Sequence, residues 1–162
     1  MKGLNLFEPF QMQPIGILRT PFTTKEETPI QGAFAPNAAG TVEVFHEFAA
    51  GLDDIDDFSH LILLYVLDRA GAAELRPVPF LDDRSHGVFA TRNPRRPNRL
   101  GLTVVQLDKR ESNLLHVRNV DMLDRTPVID VKPYVRRFDS FPDASEGWFT
   151  GRGNRPKPPG RE

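Results

Sequence analysis

Five arginines, Arg84, Arg92, Arg95, Arg96 and Arg99, lie in a stretch with no acid between Arg84 and Leu107, in a chain of net charge −1. Unpaired guanidinium groups are costly to bury. The stretch therefore faces solvent or meets an anion, and planar guanidinium forks suit phosphate and carboxylate. Pro94 and Pro97 bracket Arg95 and Arg96, fixing their own backbone and restricting the residues before them. A loop held in one shape is preorganised for binding. The plainer reading is a stiff, solvated hairpin connection, and composition alone favours it.

Other chemistries are bounded by what the chain contains. It has no cysteine, so disulfides, cysteine zinc sites and thiol nucleophiles are excluded, and a cytoplasmic protein is expected. The four histidines, His46, His60, His86 and His116, show no tight metal-ligand spacing, so no metal is expected. The four aspartates within residues 49–57 read as a solvated face. The longest apolar run, residues 61–67, is far short of the roughly 20 residues that span a bilayer, so no membrane association is expected. The amino-terminal residues lack the apolar core of a signal peptide. Near-zero net charge argues against wholesale nucleic-acid binding but permits a local basic patch. No GxGxxG follows a strand, and neither a Walker loop nor GxSxG is present.

The elements that must position the arginines are short. Residues 1–11 read as a flexible terminus. Residues 12–20 read as a strand ended by Pro21, and residues 22–40, rich in Thr, Pro, Gly and Ala, as a long loop. Residues 41–48 alternate, with Val42, Val44, His46 and Phe48 on one face. Residues 49–57 form a helical turn with Leu52 and Ile55 inward. Residues 58–67 make a central strand, and Gly87 to Thr91 another before the arginine loop. Residues 102–107 and 113–122 follow, joined by a turn at Ser112-Asn113. Residues 128–131 are a last short strand. The tail, residues 146–162, with Arg152, Arg155, Lys157 and Arg161, reads as disordered. About six or seven short strands with almost no long helix predict an all-β, single-domain barrel or sandwich over residues 12–145.

Four blocks, in order, carry a resemblance. GVFATRNPRRPNRLGL over residues 87–102 resembles the TsaA-like signature G-V-F-A-T-R-S-x-x-R-P-N-P-I-G. PIGILRTPF over residues 14–22 is similar to the family's opening block. Gly51-Leu52 with Phe58-Ser59-His60-Leu61 and Leu64-Tyr65 resembles its G-L…F-S-H-L block, and TPVIDVKPY over residues 126–134 its D-G-T-P…D-I-K-P-Y block. The chain thus resembles the TsaA-like/TrmO family over almost all of its globular part, as a short form without the C-terminal domain of longer members. That resemblance implies a β-barrel and an S-adenosyl-L-methionine cofactor. It also implies methylation of N6 of threonylcarbamoyladenosine beside the anticodon of tRNA, and a homodimer. The alternatives are methylation of a small anionic molecule and a non-catalytic cofactor- or nucleic-acid-binding module.

Carried over by position, the cofactor contacts are Gln31, Gly32, Ala33 and Phe34 in the long loop, Asp68 and Arg69 at a strand end, and Arg92 and Leu102. Val128, Ile129, Asp130 and Val131 complete them. Arg95, Arg96 and Arg99 are assigned to the substrate or its phosphates. The general base stays open among Asp130, Asp68, His60 and solvent. Each residue also has a structural reading: Arg92 paired with an aspartate, His60 a core histidine, Asp130 paired with Lys132, Tyr65 and Tyr134 core or interface aromatics, and Gly32 and Gly101 turn glycines. The chain departs from the family pattern at Asp68, Asn93, Arg99, Leu100 and Arg125. Arg125 stands where a glycine would supply positive φ.

Overall fold

Six antiparallel strands close on themselves in the computed structural model, which describes Pro9 and residues 11–152. They are β1 (Gly16–Arg19), β2 (Ala39–Val44), β3 (His60–Val66), β4 (Leu100–Glu111), β5 (Leu114–Arg118) and β6 (Thr126–Pro133), in the spatial order β1-β2-β5-β4-β3-β6. The expected barrel is present. β6 pairs back onto β1, with Gly16 opposite Val128, so no edge is left open. Alternation fills the interior: Leu18, Val42, Val44, Leu61, Leu63, Val105, Leu115, Val117 and Val128 are all almost fully buried. Each such side chain contributes about 1.5–3 kcal/mol over its exposed state. β4 pairs with β3 in its first half and with β5 in its second, and a bulge between Leu107 and Lys109 lets it bend from one to the other. Ser112, with φ 57°, makes the expected turn between β4 and β5.

Residues 119–122, expected to continue a strand, lie beyond the end of β5, and two other expected strand segments are not strands. Residues 45–48 leave the sheet after Phe45 donates its N–H to Ile15 O, and His46–Leu52 becomes a 3-10 turn. Its buried Leu52 and packed Phe48 close one end of the barrel. Residues 87–91 hold the 3-10 turn Val88–Ala90, with Val88 buried and Phe89 79 % exposed. No strand lies beside this segment. The Val88 carbonyl instead accepts the Thr91 hydroxyl (2.9 Å) and the Arg96 guanidinium (3.2 Å). Residues 146–152, assigned to the tail by composition, pack against the body of the protein, and the rest of that tail lies outside the described residues.

The two ends of the barrel differ. At one end lie the start of β4, the end of β3, the start of β6 and the 3-10 turn Gly32–Phe34. At the other lie His60 at the start of β3, Tyr134 just after β6, and the short helix α1 (Arg136–Asp139). The loop of residues 20–38 is tied to the first end: Thr20 donates its N–H to Asp124 Oδ1 (3.1 Å) and its hydroxyl to Met122 O (3.0 Å).

Candidate functional site: a cleft at the arginine end of the barrel

A cleft of about 940 Å³ opens at the first end. That is near the upper limit for pockets that hold one small ligand. Its floor is the end of the barrel, where Tyr65 and Thr103 replace the aliphatic residues of the interior. One wall is the loop carrying Gln31, Ala33 and Phe34; another is the arginine loop, through Arg92 and Arg96. Asp68 and Arg69 lie where β3 ends, and Asp121, Met122 and Leu123 where the chain leaves β5. Five cationic side chains and three carboxylates line it, an excess of positive charge in a chain that is negative as a whole.

A polar chain runs across the floor. Asp121 accepts the Gly32 N–H at Oδ2 (2.8 Å) and the Thr103 hydroxyl at Oδ1 (2.8 Å). Thr103 has spent its proton on the carboxylate, so the Tyr65 hydroxyl, 3.0 Å from Thr103 Oγ1, donates to it. Burial raises the Asp121 carboxyl above its usual range, opposed by the Thr103 and Gly32 hydrogen bonds and by Arg92. Burial, and then the charge of Asp121, pushes the Tyr65 phenol up, which keeps it a donor.

Two glycines permit this close packing, and neither has positive φ. A Cβ on Gly101 would sit 2.1 Å from the Tyr65 ring, and one on Gly32 1.9 Å from Asn119 O. Both serve close approach rather than a turn. Arg125, by contrast, does adopt φ 63° where the family pattern has glycine, and its N–H bonds Leu18 O (2.8 Å). The turn into β6 is therefore kept, with an L-residue in the left-handed region.

The arginines divide by partner. Arg92 donates to the neutral Gln31 Oε1 (3.0 Å) and lines the cleft. Arg96 also lines it, but one nitrogen of its guanidinium bonds the Val88, Thr91 and Asn93 carbonyls, which shapes the loop. Arg95 pairs with Glu74 (3.0 Å) and bonds Ala72 O, and Arg84 lies 3.9 Å from Asp82. The counter-acids missing from the run thus come from residues 74–82. Arg99 is exposed outside the cleft lining.

Of the residues expected in the site, Gln31, Ala33, Phe34, Asp68, Arg69, Arg92 and Leu102 line one cleft, and Gly32 is bonded to its floor. Arg69 is fixed by Asp68 (3.2 Å) and by the Thr126 hydroxyl (3.0 Å). Val128, Ile129, Asp130 and Val131 do not line the cleft. Val128 points into the barrel, and Asp130, opposite Leu64, pairs with Lys132 (2.6 Å). His60 lies at the other end, its Nδ1 2.9 Å from Ser59 Oγ and its ring 6.2 Å from that of Tyr134. A smaller depression of about 440 Å³ forms there. Sequence reasoning missed Asp121 and the residues after 145. A carboxylate between Val120 and Met122, both buried, was the available signal for Asp121.

Residues 146–152 close one side of the cleft. Trp148 donates its indole N–H to Ala90 O (2.7 Å) and stacks on His86 with centroids 4.3 Å apart. Arg152 reaches Asp82 (2.8 Å), which also holds His86 Nε2 at 2.8 Å. The His86 hydrogen bond, ahead of the Asp83 amide and Arg152, holds the Asp82 carboxyl down at about 2, against the opposing effect of burial. Among the described residues no helix is long and apolar enough to cross a membrane, and no cluster of three or more His, Cys, Asp or Glu could hold a metal.

Residues 17–140 match the model of the tRNA-methyltransferase O N-terminal domain. The chain is 48% identical over 137 residues to a probable S-adenosyl-L-methionine-binding protein of Pyrococcus abyssi, covering 85% of this chain and 74% of that one. It is 36% identical over 136 residues to the tRNA (adenine(37)-N6)-methyltransferase of Mus musculus, covering 79% and 31%. The crystal structure of TrmO from Pseudomonas aeruginosa superimposes with a TM-score of 0.74 at 36% identity, covering 87% of this chain and 63% of that one.

Proposed function

The chain belongs to the TrmO family, and from that premise we propose that it is an S-adenosyl-L-methionine-dependent methyltransferase whose acceptor is N6 of threonylcarbamoyladenosine beside the anticodon of tRNA. The observation that carries the reading is the cleft, which brings together a cation, Arg92, a carboxylate, Asp121, and apolar walls at Phe34, Leu67 and Leu102. S-adenosyl-L-methionine needs all three: a cation for its carboxylate, negative charge near its sulfonium and apolar surface for its adenine. The group supplies an electrophilic methyl when bound.

The residues of the chain do the positioning, which matters because methyl transfer from a sulfonium requires an in-line approach. Arg92, steadied by Gln31, offers a guanidinium fork to a carboxylate. Asp121, held by Gly32 and Thr103, keeps negative charge on the cleft floor. Three carboxylates, Asp68, Asp121 and Glu146, line the cleft. Of the three residues weighed as a base, Asp68 lines the cleft, and Asp130 and His60 do not. A homodimer, implied by the resemblance, and a cytoplasmic location, expected from the absence of cysteine, belong to the same proposal. The chain spans 63% of the TrmO structure it matches, so what the remainder of such proteins contributes to tRNA binding is tested together with the activity.

Labelled S-adenosyl-L-methionine offered with tRNA, with and without the threonylcarbamoyl group, followed by nucleoside mass spectrometry, tests the proposal. Methyl on the modified nucleoside alone is expected. No transfer to either tRNA, with the cofactor still bound, would move the acceptor to a small anionic molecule.

A further inference from the structure

We infer that residues 146–152 present an aromatic platform on which an unpaired base of the acceptor RNA stacks, with Phe149 as the stacking ring. The inference rests on the RNA-acceptor reading above. Trp148 and Phe149 stack on each other with centroids 3.9 Å apart and planes 25° apart, and both line the cleft. Neither belongs to the barrel core, and both stay half-buried. Trp148 is held at its edge by Ala90 O and at a face by His86, while Arg152 ties the turn down through Asp82 and the Trp148 carbonyl (2.7 Å). Anchoring a chain segment needs one such ring. The second, Phe149, lines the cleft and stays half-buried, and covering apolar ring surface with another flat ring is favourable.

Charge around the platform fits the same ligand. Arg152 lies over the Trp148 ring, 5.8 Å from its centroid, and Arg92 and Arg96 line the same cleft. Aromatic faces for bases set among guanidinium groups for the backbone are how proteins hold single-stranded nucleic acid. The volume of about 940 Å³ leaves room for the base beside a cofactor. A small anionic acceptor would use the arginines but would leave the stacked pair without a role.

Trp148 is the chain's single tryptophan, so its fluorescence reports on the platform directly. The probe is a synthetic anticodon stem-loop RNA with an unpaired purine beside the anticodon, added to the full chain saturated with S-adenosylhomocysteine. Saturable quenching beyond that caused by S-adenosylhomocysteine alone is expected. Phe149→Leu should weaken RNA binding about tenfold, the loss of one stacked base, and Phe149→Tyr should restore it to within about twofold. S-adenosylhomocysteine affinity should hold in both variants. RNA that fails to bind, RNA that binds without quenching, or Phe149→Leu binding RNA like the wild type would overturn the inference. So would a parallel loss of S-adenosylhomocysteine affinity, which would place the cofactor's own adenine on the ring. Methyl transfer to the same RNA is scored separately: transfer without quenching removes the platform and leaves the methyltransferase reading intact.

Discussion

The two ends of this barrel are built from the same six strands, yet they present different chemistry. At the His60 end, β3 begins and β6 finishes in close register, with Leu61 opposite Pro133, and Tyr134 donates its N–H to His60 O. The strands stay together, and the depression there is less than half the volume of the cleft. At the Arg92 end, β3 and β4 are joined through more than thirty residues of loop, and β1 and β2 through nearly twenty. Those loops stand around the barrel mouth and line the larger cleft. The difference teaches that the sheet supplies a floor, while connection length and glycine placement decide which end becomes a site. Both ends carry blocks of the family resemblance, so motif alone does not locate the chemistry.

Exchanging the roles of the ends is the strongest test of that contrast. Arg92→Ala should weaken S-adenosylhomocysteine binding by about ten- to a hundredfold, the worth of charge-assisted hydrogen bonds. His60→Ala should change it by less than about twofold. Titration calorimetry on both variants decides, and an equal effect of His60 would erase the distinction.

Packing sharpens the same comparison. Gly101→Ala should destabilise the protein by about 1–3 kcal/mol, because its methyl meets the buried Tyr65 ring. Gly51→Ala, in the 3-10 turn that closes the His60 end, has open space around its Cβ and should stay within about 0.5 kcal/mol of wild type. Urea unfolding of the pair measures the difference.

Charge on the cleft floor has a sign that pH reveals. Protonating Asp121 removes negative charge, so affinity for the cationic S-adenosyl-L-methionine should fall severalfold as pH drops through its raised pKa. Affinity for the neutral thioether S-adenosylhomocysteine should not, and Asp121→Asn should flatten the dependence. Binding curves for both ligands across the acid range check it. The smallest effect is local: Arg125→Gly should stabilise the chain by about 1 kcal/mol by relieving the left-handed backbone, visible as a higher melting temperature.

Much of this was legible in the residues. Alternation in residues 41–44 identified inward-facing Val42 and Val44, because one face of a strand must be buried. The apolar run of residues 58–67 marked a central strand without showing its faces, and Leu61, Leu63 and Tyr65 are the ones that point inward. Residues 87–91 misled because an apolar run does not say whether a partner strand lies beside it, and here side chains satisfy the Val88 carbonyl. Gln31, Asp68, Arg69, Arg92 and Leu102 were placed in one site by resemblance, and the barrel brings them together. The segment of residues 128–131 was placed there too, but Val128 faces the barrel interior and Asp130 its outside. Asp121 was hidden because residues 113–122 read as one strand, whereas β5 ends at Arg118; only the long-range approach of Gly32 and Thr103 gives Asp121 its partners. Residues 146–152 are polar enough to read as tail, and what orders them is contact with His86, Asp82 and Ala90, distant in sequence.

The most direct test of the central claim is a crystal structure of the chain with S-adenosylhomocysteine. The ligand is expected in the cleft, between the loop of Gln31 and Phe34 and the segment of Asp121 and Leu123, with its carboxylate on Arg92. Ligand beside His60 and Tyr134, or in the cleft with Arg92 turned away, would contradict it.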